Sequence, residues 1–224
     1  MTAKTLFITG ASSGIGAATA RAARLAGWNV GMFARSDNKL NELAEELGDR
    51  SLALPGDVTS MDDQNQALAM LRHTYGGVDA AFANAGMGVQ TAGTEHGDPE
   101  EWSKLVDVNI KGLLNTAKAA MPHLRQRKGH MVMTGSAAGR VHIAGSVYGA
   151  SKWFVHGYAG NLAEEMKEWG GRCTVIAPGM VNTAFFDEAK PDKLQPEDIA
   201  NAVVFALDAD PRATVREVFV MPTN

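Results

Sequence analysis

Cysteine is nearly absent from this chain, and so is any excess of positive charge. Cys173 is the one cysteine among 224 residues, so no intrachain disulfide can form, which fits a reducing compartment. This thiol precedes an apolar run, a position typical of a packed side chain rather than of a nucleophile. Lysine and arginine number 21 against 25 aspartates and glutamates, giving a net charge of -4. The protein is therefore not expected to bind nucleic acid or anionic membrane surfaces.

Long hydrophobic runs and clustered histidines are also missing. No stretch approaches the roughly 20 apolar residues that span a bilayer, so no membrane association is expected. The N-terminus enters an apolar strand within a few residues, which leaves no room for a signal peptide. The six histidines lack the spacing of metal ligands, so no catalytic metal is expected. These features predict a cytoplasmic protein.

Apolar runs of strand length alternate with amphipathic segments of helical period along the whole chain. This alternation predicts an α/β fold: a Rossmann-like, doubly wound, mostly parallel sheet of seven strands with helices on both faces. No linker interrupts the pattern, which predicts one domain over 1–224. The predicted strands are 5–9, 28–34, 51–54, 78–83, 130–134, 172–177 and 215–221. The predicted helices are 17–27, 38–47, 60–75, 100–127, 147–169 and one that begins at Pro196.

A glycine-rich turn joins the first strand to the first helix. Its sequence, from Gly10 through Ser12, Ser13, Gly14 and Ile15 to Gly16, has the spacing G-x-x-x-G-x-G. Glycines permit a tight turn and a close approach of the backbone to a pyrophosphate, and the helix N-terminus supplies free N–H groups and a positive dipole. The alternative is a turn that merely packs, but its place between strand and helix favours a dinucleotide phosphate site.

The residue after the second strand bears on which dinucleotide is bound. An acidic residue there would accept a hydrogen bond from the adenosine 2′-hydroxyl and select NAD. Ala34 is followed instead by Arg35, whose guanidinium suits a 2′-phosphate, so the sequence predicts NADP. The alternative is that Arg35 is a solvated loop residue and that Asp37 serves the ribose.

Tyr148 and Lys152 are four residues apart in a predicted helix, on one face and one turn from each other. A phenol has a reference pKa of about 10, and a nearby ammonium lowers it. Such a pair could exchange a proton with a carbonyl or an alcohol. The spacing alone is common on helices, so the rest of the sequence has to support this interpretation.

These motifs, in this order, resemble the short-chain dehydrogenase/reductase family over nearly the whole chain. The glycine turn is similar to the family's cofactor motif, and Tyr148 and Lys152 match its Y-x-x-x-K pair. Ser136, in the segment 135–139, resembles the catalytic serine, and Asn109, in the segment 108–112, resembles the helix asparagine. Further matches to cofactor-contacting positions are Asp57, Val58, Asn84, Ala85, Gly86, Pro178, Gly179, Val181 and Thr183.

The resemblance implies hydride transfer between NADP and an alcohol, ketone or aldehyde. Tyr148 would be the general acid and base, and Lys152 would lower its pKa and bind the nicotinamide ribose. Ser136 would bind the substrate oxygen, and Asn109 would hold a water that connects Lys152 to solvent. The alternative function is a dinucleotide-binding redox sensor that turns nothing over. The family also implies a homodimer or homotetramer.

The chain departs from the family between Ser136 and Tyr148, which are 12 positions apart, one fewer than expected. A loop shortened near Gly145 could reshape the pocket without moving the serine. The resemblance places an apolar pocket wall at Met87, Ile143, Met180, Phe185 and Phe186, which suggests a substrate with hydrophobic bulk. His142 and Arg140 are further candidates for substrate contact.

Overall fold

The computed structural model describes residues 3–186 and 188–223. Seven strands form one sheet in the order β3-β2-β1-β4-β5-β6-β7, and every pairing is parallel. This confirms the predicted doubly wound α/β fold and sharpens "mostly parallel" to entirely parallel. The strands are β1 (Thr5–Thr9), β2 (Asn29–Ala34), β3 (Ser51–Pro55), β4 (Ala80–Ala83), β5 (His130–Thr134), β6 (Arg172–Pro178) and β7 (Glu217–Val220).

Helices cover both faces of this sheet because the central strands are apolar on both sides. β1, β2, β4, β5 and β6 are buried at every residue, as expected of a parallel sheet. One core cluster joins the sheet to α3, α5 and α6, and the other joins it to α1, α2 and α7. The helices are α1 (Gly14–Leu25), α2 (Asp37–Leu47), α3 (Met61–Tyr75), α4 (Pro99–Val106), α5 (Leu113–Arg127), α6 (Val147–Lys167) and α7 (Pro196–Asp208).

The predicted helix over 100–127 is in fact three consecutive segments. α4 passes into a π-helical segment, Asp107–Gly112, which passes into α5. Pro122 lies inside α5, which continues to Arg127. Elsewhere the element types are as predicted and only the ends differ: α1 begins three residues earlier, and β7 is shorter at both ends.

Because every strand pairing is parallel, the motifs that follow the strands lie together at the carboxyl ends of the strands. β1 lies between β2 and β4, so the chain reverses its direction of winding between β1 and β4. Ligands of doubly wound folds bind beyond the carboxyl ends of the strands at such a switch point. None of the helices within 3–186 and 188–223 is long and apolar enough to cross a membrane.

Candidate active site

The glycine turn after β1 has the geometry that a phosphate cradle needs. Gly10 and Gly14 adopt positive φ values of 67° and 51°, which non-glycine residues rarely adopt. A Cβ on Gly10 would lie 2.9 Å from the Cα of Ala85, and one on Gly16 would overlap the carbonyl oxygen of Gly10. Ser13 is the N-cap residue of α1 but makes no capping hydrogen bond with its side chain. The first N–H groups of α1 therefore remain available to an anion, and the turn fits the pyrophosphate of a dinucleotide.

Three polar side chains fix the carboxyl ends of β1, β4 and β5 together. The Thr9 hydroxyl accepts from the backbone N–H groups of Asn84 and Ala85 at 3.0 and 3.2 Å. The Asn84 amide nitrogen donates to the carbonyl of Thr9 at 3.1 Å, and its oxygen accepts from the Thr134 hydroxyl at 3.0 Å. Asn84, Ala85 and Gly86 are thereby held beside the glycine turn, where the resemblance places the cofactor.

Asp57 and Val58, which the resemblance places at the adenine ring, form a braced turn after β3. The Asp57 carboxylate accepts from the backbone N–H and the hydroxyl of Thr59, at 2.9 and 2.8 Å. Val58 is 8% exposed, and its carbonyl accepts from the side-chain amide of Gln64 at 2.8 Å. These contacts set the backbone of the turn, and both bonds to Thr59 end on the same carboxylate oxygen of Asp57, Oδ1.

Arg35 is exposed at the carboxyl end of β2, directly before α2. The alternative ribose ligand, Asp37, accepts a hydrogen bond from the Asn41 side-chain amide at 2.9 Å. This contact ties the Asp37 carboxylate to the first turn of α2. A shallow depression beside it is lined by Ser36, Asp37, Asn38 and Lys39. Lys39 adds a second cation near Arg35, and the prediction from the sequence did not include it.

Asn109 lies in the π-helical segment and is 2% exposed. Its side chain spans the backbone of Met87, accepting from the N–H at 2.8 Å and donating to the carbonyl at 2.9 Å. It also donates to the Ser151 hydroxyl at 3.2 Å, which in turn donates to the carbonyl of Tyr148 at 2.7 Å. Asn109 thus joins the loop after β4 to the helix that carries Tyr148. Both hydrogens of its side-chain amide nitrogen are thereby used, by the Met87 carbonyl and by the Ser151 hydroxyl.

Ser136 and Tyr148 lie together, although they belong to different elements. Ser136 is 8% exposed and precedes a short 3₁₀ turn, Ala137–Gly139, whose Ala138 N–H donates to the serine hydroxyl at 3.1 Å. Burial raises the pKa of the Tyr148 phenol, while a hydrogen bond with the Ser136 side chain opposes that rise. The expected lowering of this pKa by Lys152 is not found. The shorter loop has therefore not separated the serine from the tyrosine.

Lys152 is 5% exposed, and its ammonium points toward β5 rather than to the phenol oxygen. Its Nζ donates to the carbonyl of Thr134 at 2.9 Å and lies 5.6 Å from the centre of the Tyr148 ring. Burial lowers the pKa of Lys152 to about 8. A Cβ on Gly86 would lie 3.8 Å from this Nζ and 3.4 Å from the Asn109 side-chain oxygen. Lys152, Asn109 and the loop after β4 therefore meet at Gly86.

The segment that follows β6 also lies against the glycine turn. Pro178 ends β6, and the Gly179 N–H donates to the carbonyl of Val220 at 2.7 Å. Val181 is buried and forms an isolated bridge with Leu194. Thr183 lies against Gly14, where a Cβ would come within 3.2 Å of its methyl group. Thr183 therefore lies against the glycine turn.

The proposed pocket wall is aromatic immediately beside the tyrosine. The rings of Phe185 and Tyr148 are 5.4 Å apart, and Phe185 also packs on Gly88. Phe186 packs edge-on against Phe185, with ring centres 5.3 Å apart. Ile143 and Met180 are 51% and 40% exposed, so packing within the chain does not use these side chains fully. Of the predicted wall, Phe185 is the residue in direct ring contact with Tyr148.

The two further candidates for substrate contact have other partners. His142 stacks on Trp153 with ring centres 5.3 Å apart. Arg140 forms a bidentate ion pair with Glu217 at the start of β7. Neither side chain is aimed at Tyr148 by these contacts. An exposed imidazole ring can stack on a nearby aromatic ring, and an exposed guanidinium can pair with a nearby carboxylate. The sequence does not show which aromatic or acidic residue will be that partner.

Several residues of the site escaped prediction from the sequence. Thr9 and Thr134 join the strand ends, and Ser151 joins Asn109 to the helix. A threonine that ends a strand carries little signal by itself. Cys173 is buried with a pKa raised to about 12, consistent with a packed thiol. Within the described residues no group of three histidine, cysteine, aspartate or glutamate side chains could hold a metal ion.

Known proteins share both this sequence pattern and this fold. The model of the short chain dehydrogenase family matches residues 4–194. An uncharacterized oxidoreductase of Staphylococcus aureus (strain MRSA252) is 37% identical over 228 residues, covering 99% of this chain and 98% of the relative.

Two solved structures illustrate the range of ligands among such proteins. An alcohol dehydrogenase of the archaeon Thermococcus sibiricus, complexed with 5-hydroxy-NADP, has a TM-score of 0.91 and 28% identity, covering 98% of this chain and 97% of that one. A 3-ketoacyl-(acyl-carrier-protein) reductase of Brucella melitensis, complexed with NADH, has a TM-score of 0.88 and 26% identity, covering 96% of each chain. The match of sequence and of fold over almost the full length leads to one conclusion: this chain belongs to the short-chain dehydrogenase family of oxidoreductases.

Proposed function

We propose that the protein interconverts an alcohol and a ketone or aldehyde with NADP, and that Tyr148 is the general acid and base. The observation that carries the proposal is the meeting of the Ser136 hydroxyl and the Tyr148 phenol at the carboxyl edge of the sheet. Lys152 and Asn109 lie against the loop after β4 at the same edge. When bound, the dinucleotide supplies or accepts the hydride. A redox sensor without turnover would have no use for this arrangement.

Each polar side chain of the site has a separate task in this proposal. Ser136 donates a hydrogen bond to the substrate oxygen and stabilises the charge that develops there. Tyr148 transfers a proton to or from that oxygen. Lys152 would bind the ribose hydroxyls of the dinucleotide, and Asn109 holds the loop after β4 that would lie against the dinucleotide. The raised pKa of Tyr148 keeps the phenol protonated at neutral pH, which favours reduction of a carbonyl.

The substrate is proposed to carry apolar bulk next to its carbonyl. Phe185 packs on the Tyr148 ring, and Phe186 extends that apolar surface. Met180 and Ile143 are exposed enough to contact a bound molecule. No charged side chain among these residues would compensate a charged group beside the reacting carbon. Aryl and alkyl ketones and aldehydes therefore fit this wall better than small hydroxy acids do.

A spectrophotometric panel tests the reaction. NADPH absorbance at 340 nm is followed with aryl ketones, alkyl aldehydes, diketones and keto acids, using the unmodified protein. Oxidation of NADPH with at least one apolar carbonyl compound is expected, at a rate proportional to enzyme concentration. Tight NADPH binding by fluorescence titration, together with no turnover of any panel member, would contradict the enzyme and support the sensor.

NADP preference is proposed from the cations at the end of β2. Arg35 is exposed and Lys39 lines the adjoining depression, whereas the Asp37 carboxylate is engaged by Asn41. Arg35→Ala should raise the Kd of NADPH roughly 10-fold or more, because a charge-assisted contact to phosphate contributes about 1.5–3 kcal/mol. The Kd of NADH, which lacks the 2′-phosphate, should change less than about 2-fold. Fluorescence titration of both dinucleotides measures the difference.

Arg50→Ala is the matched control for this variant, because Arg50 is also exposed. It lies just before β3, at the amino-terminal ends of the strands, whereas Arg35 lies at their carboxyl ends. Arg50→Ala should leave both dissociation constants unchanged. The effect of Arg35→Ala should also shrink at high salt, because exposed charges are screened. An equal loss of affinity for NADPH and NADH would remove the argument for a phosphate contact at Arg35.

The remaining proposals concern assembly and location. α6 carries Phe154 and Tyr158, stacked 5.8 Å apart and only partly buried. A Cβ on Gly157 or Gly160 of the same helix would meet nothing within 4 Å. This flat, partly apolar surface suits a second copy of the chain, so we expect a homodimer or homotetramer. A single buried thiol suits the reducing cytoplasm.

A further inference from the structure

The catalytic face of α6 continues one turn beyond Lys152. Tyr148, Lys152 and His156 follow one another at four-residue spacing, so their side chains line up along one face of the helix. The side chain of His156 is 6% exposed, which is unusual for an imidazole without an evident task. None of the roles assigned above uses this residue. Its partners therefore need an explanation.

The His156 ring lies in a groove made by two glycines that flank Ser136. A Cβ on Gly135 would come within 2.8 Å of His156 Nε2, and a Cβ on Gly139 within 2.6 Å of Cδ2. These two positions therefore need glycine for the ring to approach the backbone so closely. Between them, His156 Nε2 lies 3.2 Å from the carbonyl oxygen of Ser136. The imidazole thus touches the backbone on both sides of the proposed catalytic serine.

The other ring nitrogen shows which tautomer fits. His156 Nδ1 lies 3.5 Å from Glu217 Oε1, too far for a hydrogen bond, and is buried without a hydrogen-bond partner among the described residues. The Glu217 carboxylate already accepts from the guanidinium of Arg140, with Oε1 3.1 Å from Nε. If the proton is on Nε2, that nitrogen donates a hydrogen bond to the Ser136 carbonyl oxygen. If the proton is on Nδ1 alone, the lone pair of Nε2 faces the lone pairs of that oxygen, and no hydrogen bond forms. The neutral Nε2–H tautomer is therefore favoured.

The charged groups around the ring agree with a neutral imidazole at neutral pH. Burial lowers the pKa of His156, and the nearby cations Arg140 and Lys152 act in the same direction. The carbonyl of Ser136 and the carboxylate of Glu217 act in the opposite direction without reversing the change. Protonation would add a proton at Nδ1 and leave the bond from Nε2 in place.

We propose that His156 is a positioning residue that donates its Nε2–H to the Ser136 carbonyl and so holds the serine hydroxyl against Tyr148. The inference rests on the proposed function for its effect on turnover, although the contact itself does not. Because His156 and Tyr148 share one helix, the bond fixes the distance between the serine loop and the phenol. Small displacements of reacting groups lower rates steeply, by as much as about 100-fold for about 1 Å.

Two substitutions separate positioning from simple packing. His156→Gln can place a side-chain N–H near the position of Nε2, whereas His156→Leu fills the groove without a donor. His156→Leu should lower kcat about 30-fold with the Kd of NADPH unchanged, and His156→Gln should recover most of that loss. His123→Leu, at a partly buried histidine of α5 far from the site, is the control and should keep the wild-type kcat. Equal kcat values for His156→Gln and His156→Leu would overturn the proposal.

A double-mutant cycle tests whether His156 acts through the serine. In a Ser136→Ala background the hydroxyl that has to be positioned is gone, so adding His156→Leu should change kcat less than about 3-fold. A full additive loss in the double variant would show that the histidine acts by another route and would overturn the proposal.

A third measurement does not depend on turnover. Nitrogen-15 chemical shifts of the imidazole report the tautomer, and they should show Nε2–H for His156 at pH 7 to 8 in the wild-type protein. A Nδ1–H tautomer would overturn the proposed bond even if the enzyme is active. Conversely, an Nε2–H tautomer in a protein that oxidises no NADPH would keep the contact and refute the proposed function instead.

Discussion

Tyr148→Phe should lower kcat by about 10³-fold while leaving the Kd of NADPH within about 3-fold of the wild-type value. General acid–base catalysis by one side chain contributes roughly 10²- to 10⁴-fold, and phenylalanine removes only the group that exchanges the proton. The ring contact with Phe185, at 5.4 Å between centres, is kept by the variant. The loss should therefore appear in turnover and not in binding. Single-turnover kinetics with the best carbonyl of the panel would measure it.

Tyr158→Phe is the matched control, because Tyr158 lies on the same helix, ten residues after Tyr148, and stacks on Phe154. It should keep the wild-type kcat. A Tyr148→Phe variant within 10-fold of the wild-type kcat would refute the tyrosine as the acid. The pH dependence of the wild type provides a second check, because burial raises the pKa of the phenol. The phenol should stay protonated through neutral pH, so carbonyl reduction should not be lost between pH 6 and pH 8 through Tyr148.

The parts of the fold that follow from local pattern were predictable. Whether a segment forms a strand or a helix follows from the period at which its apolar residues recur. The parallel sheet follows from the alternation of strands and helices along the chain. The helix predicted to begin at residue 60 does have its N-cap there, because the Ser60 side chain accepts from the Asp63 N–H at 3.2 Å. Gly10, Gly14 and Gly16 were recognisable because tight turns and close backbone contacts require glycine. In each case a residue type and its sequence neighbours were sufficient.

The parts that depend on contacts between distant segments were not predictable. The sequence of the π-helical segment around Asn109 has an ordinary helical pattern. The segment is distinguished by the two hydrogen bonds between the Asn109 side chain and the backbone of Met87, 22 residues earlier. The same holds for His156, whose partners come from the serine loop and from β7. Lys152 was expected to act on the phenol because the two are four residues apart. Its ammonium instead donates to the backbone carbonyl of Thr134.

Lys152→Met should raise the stability of the protein without bound dinucleotide while raising the Kd of NADPH at least about 10-fold, because a lost charged hydrogen bond costs about 1.5–3 kcal/mol. The wild-type ammonium is 5% exposed, with one carbonyl as its hydrogen-bond partner, and burial lowers its pKa from 10.5 to about 8. At about 1.36 kcal/mol per pH unit, holding that charge costs the folded state about 3 kcal/mol. Methionine fills a similar volume without charge, and the unpaired Thr134 carbonyl costs about 1–3 kcal/mol. A net gain of up to about 2 kcal/mol in unfolding free energy at pH 7 is expected.

The pH dependence gives this prediction its sign. The pKa of Lys152 is lower in the folded than in the unfolded protein, so the wild type gains stability as pH rises from about 8 to 10.5. The advantage of the methionine variant should therefore be full below pH 8 and should disappear toward pH 10.5, as denaturant titrations would measure. Lys118→Met, at an exposed lysine of α5, should change neither stability nor the Kd of NADPH. A Lys152→Met variant less stable than the wild type at pH 7 would show that the ammonium is well solvated or paired in the folded protein, and that this site does not trade stability for dinucleotide binding.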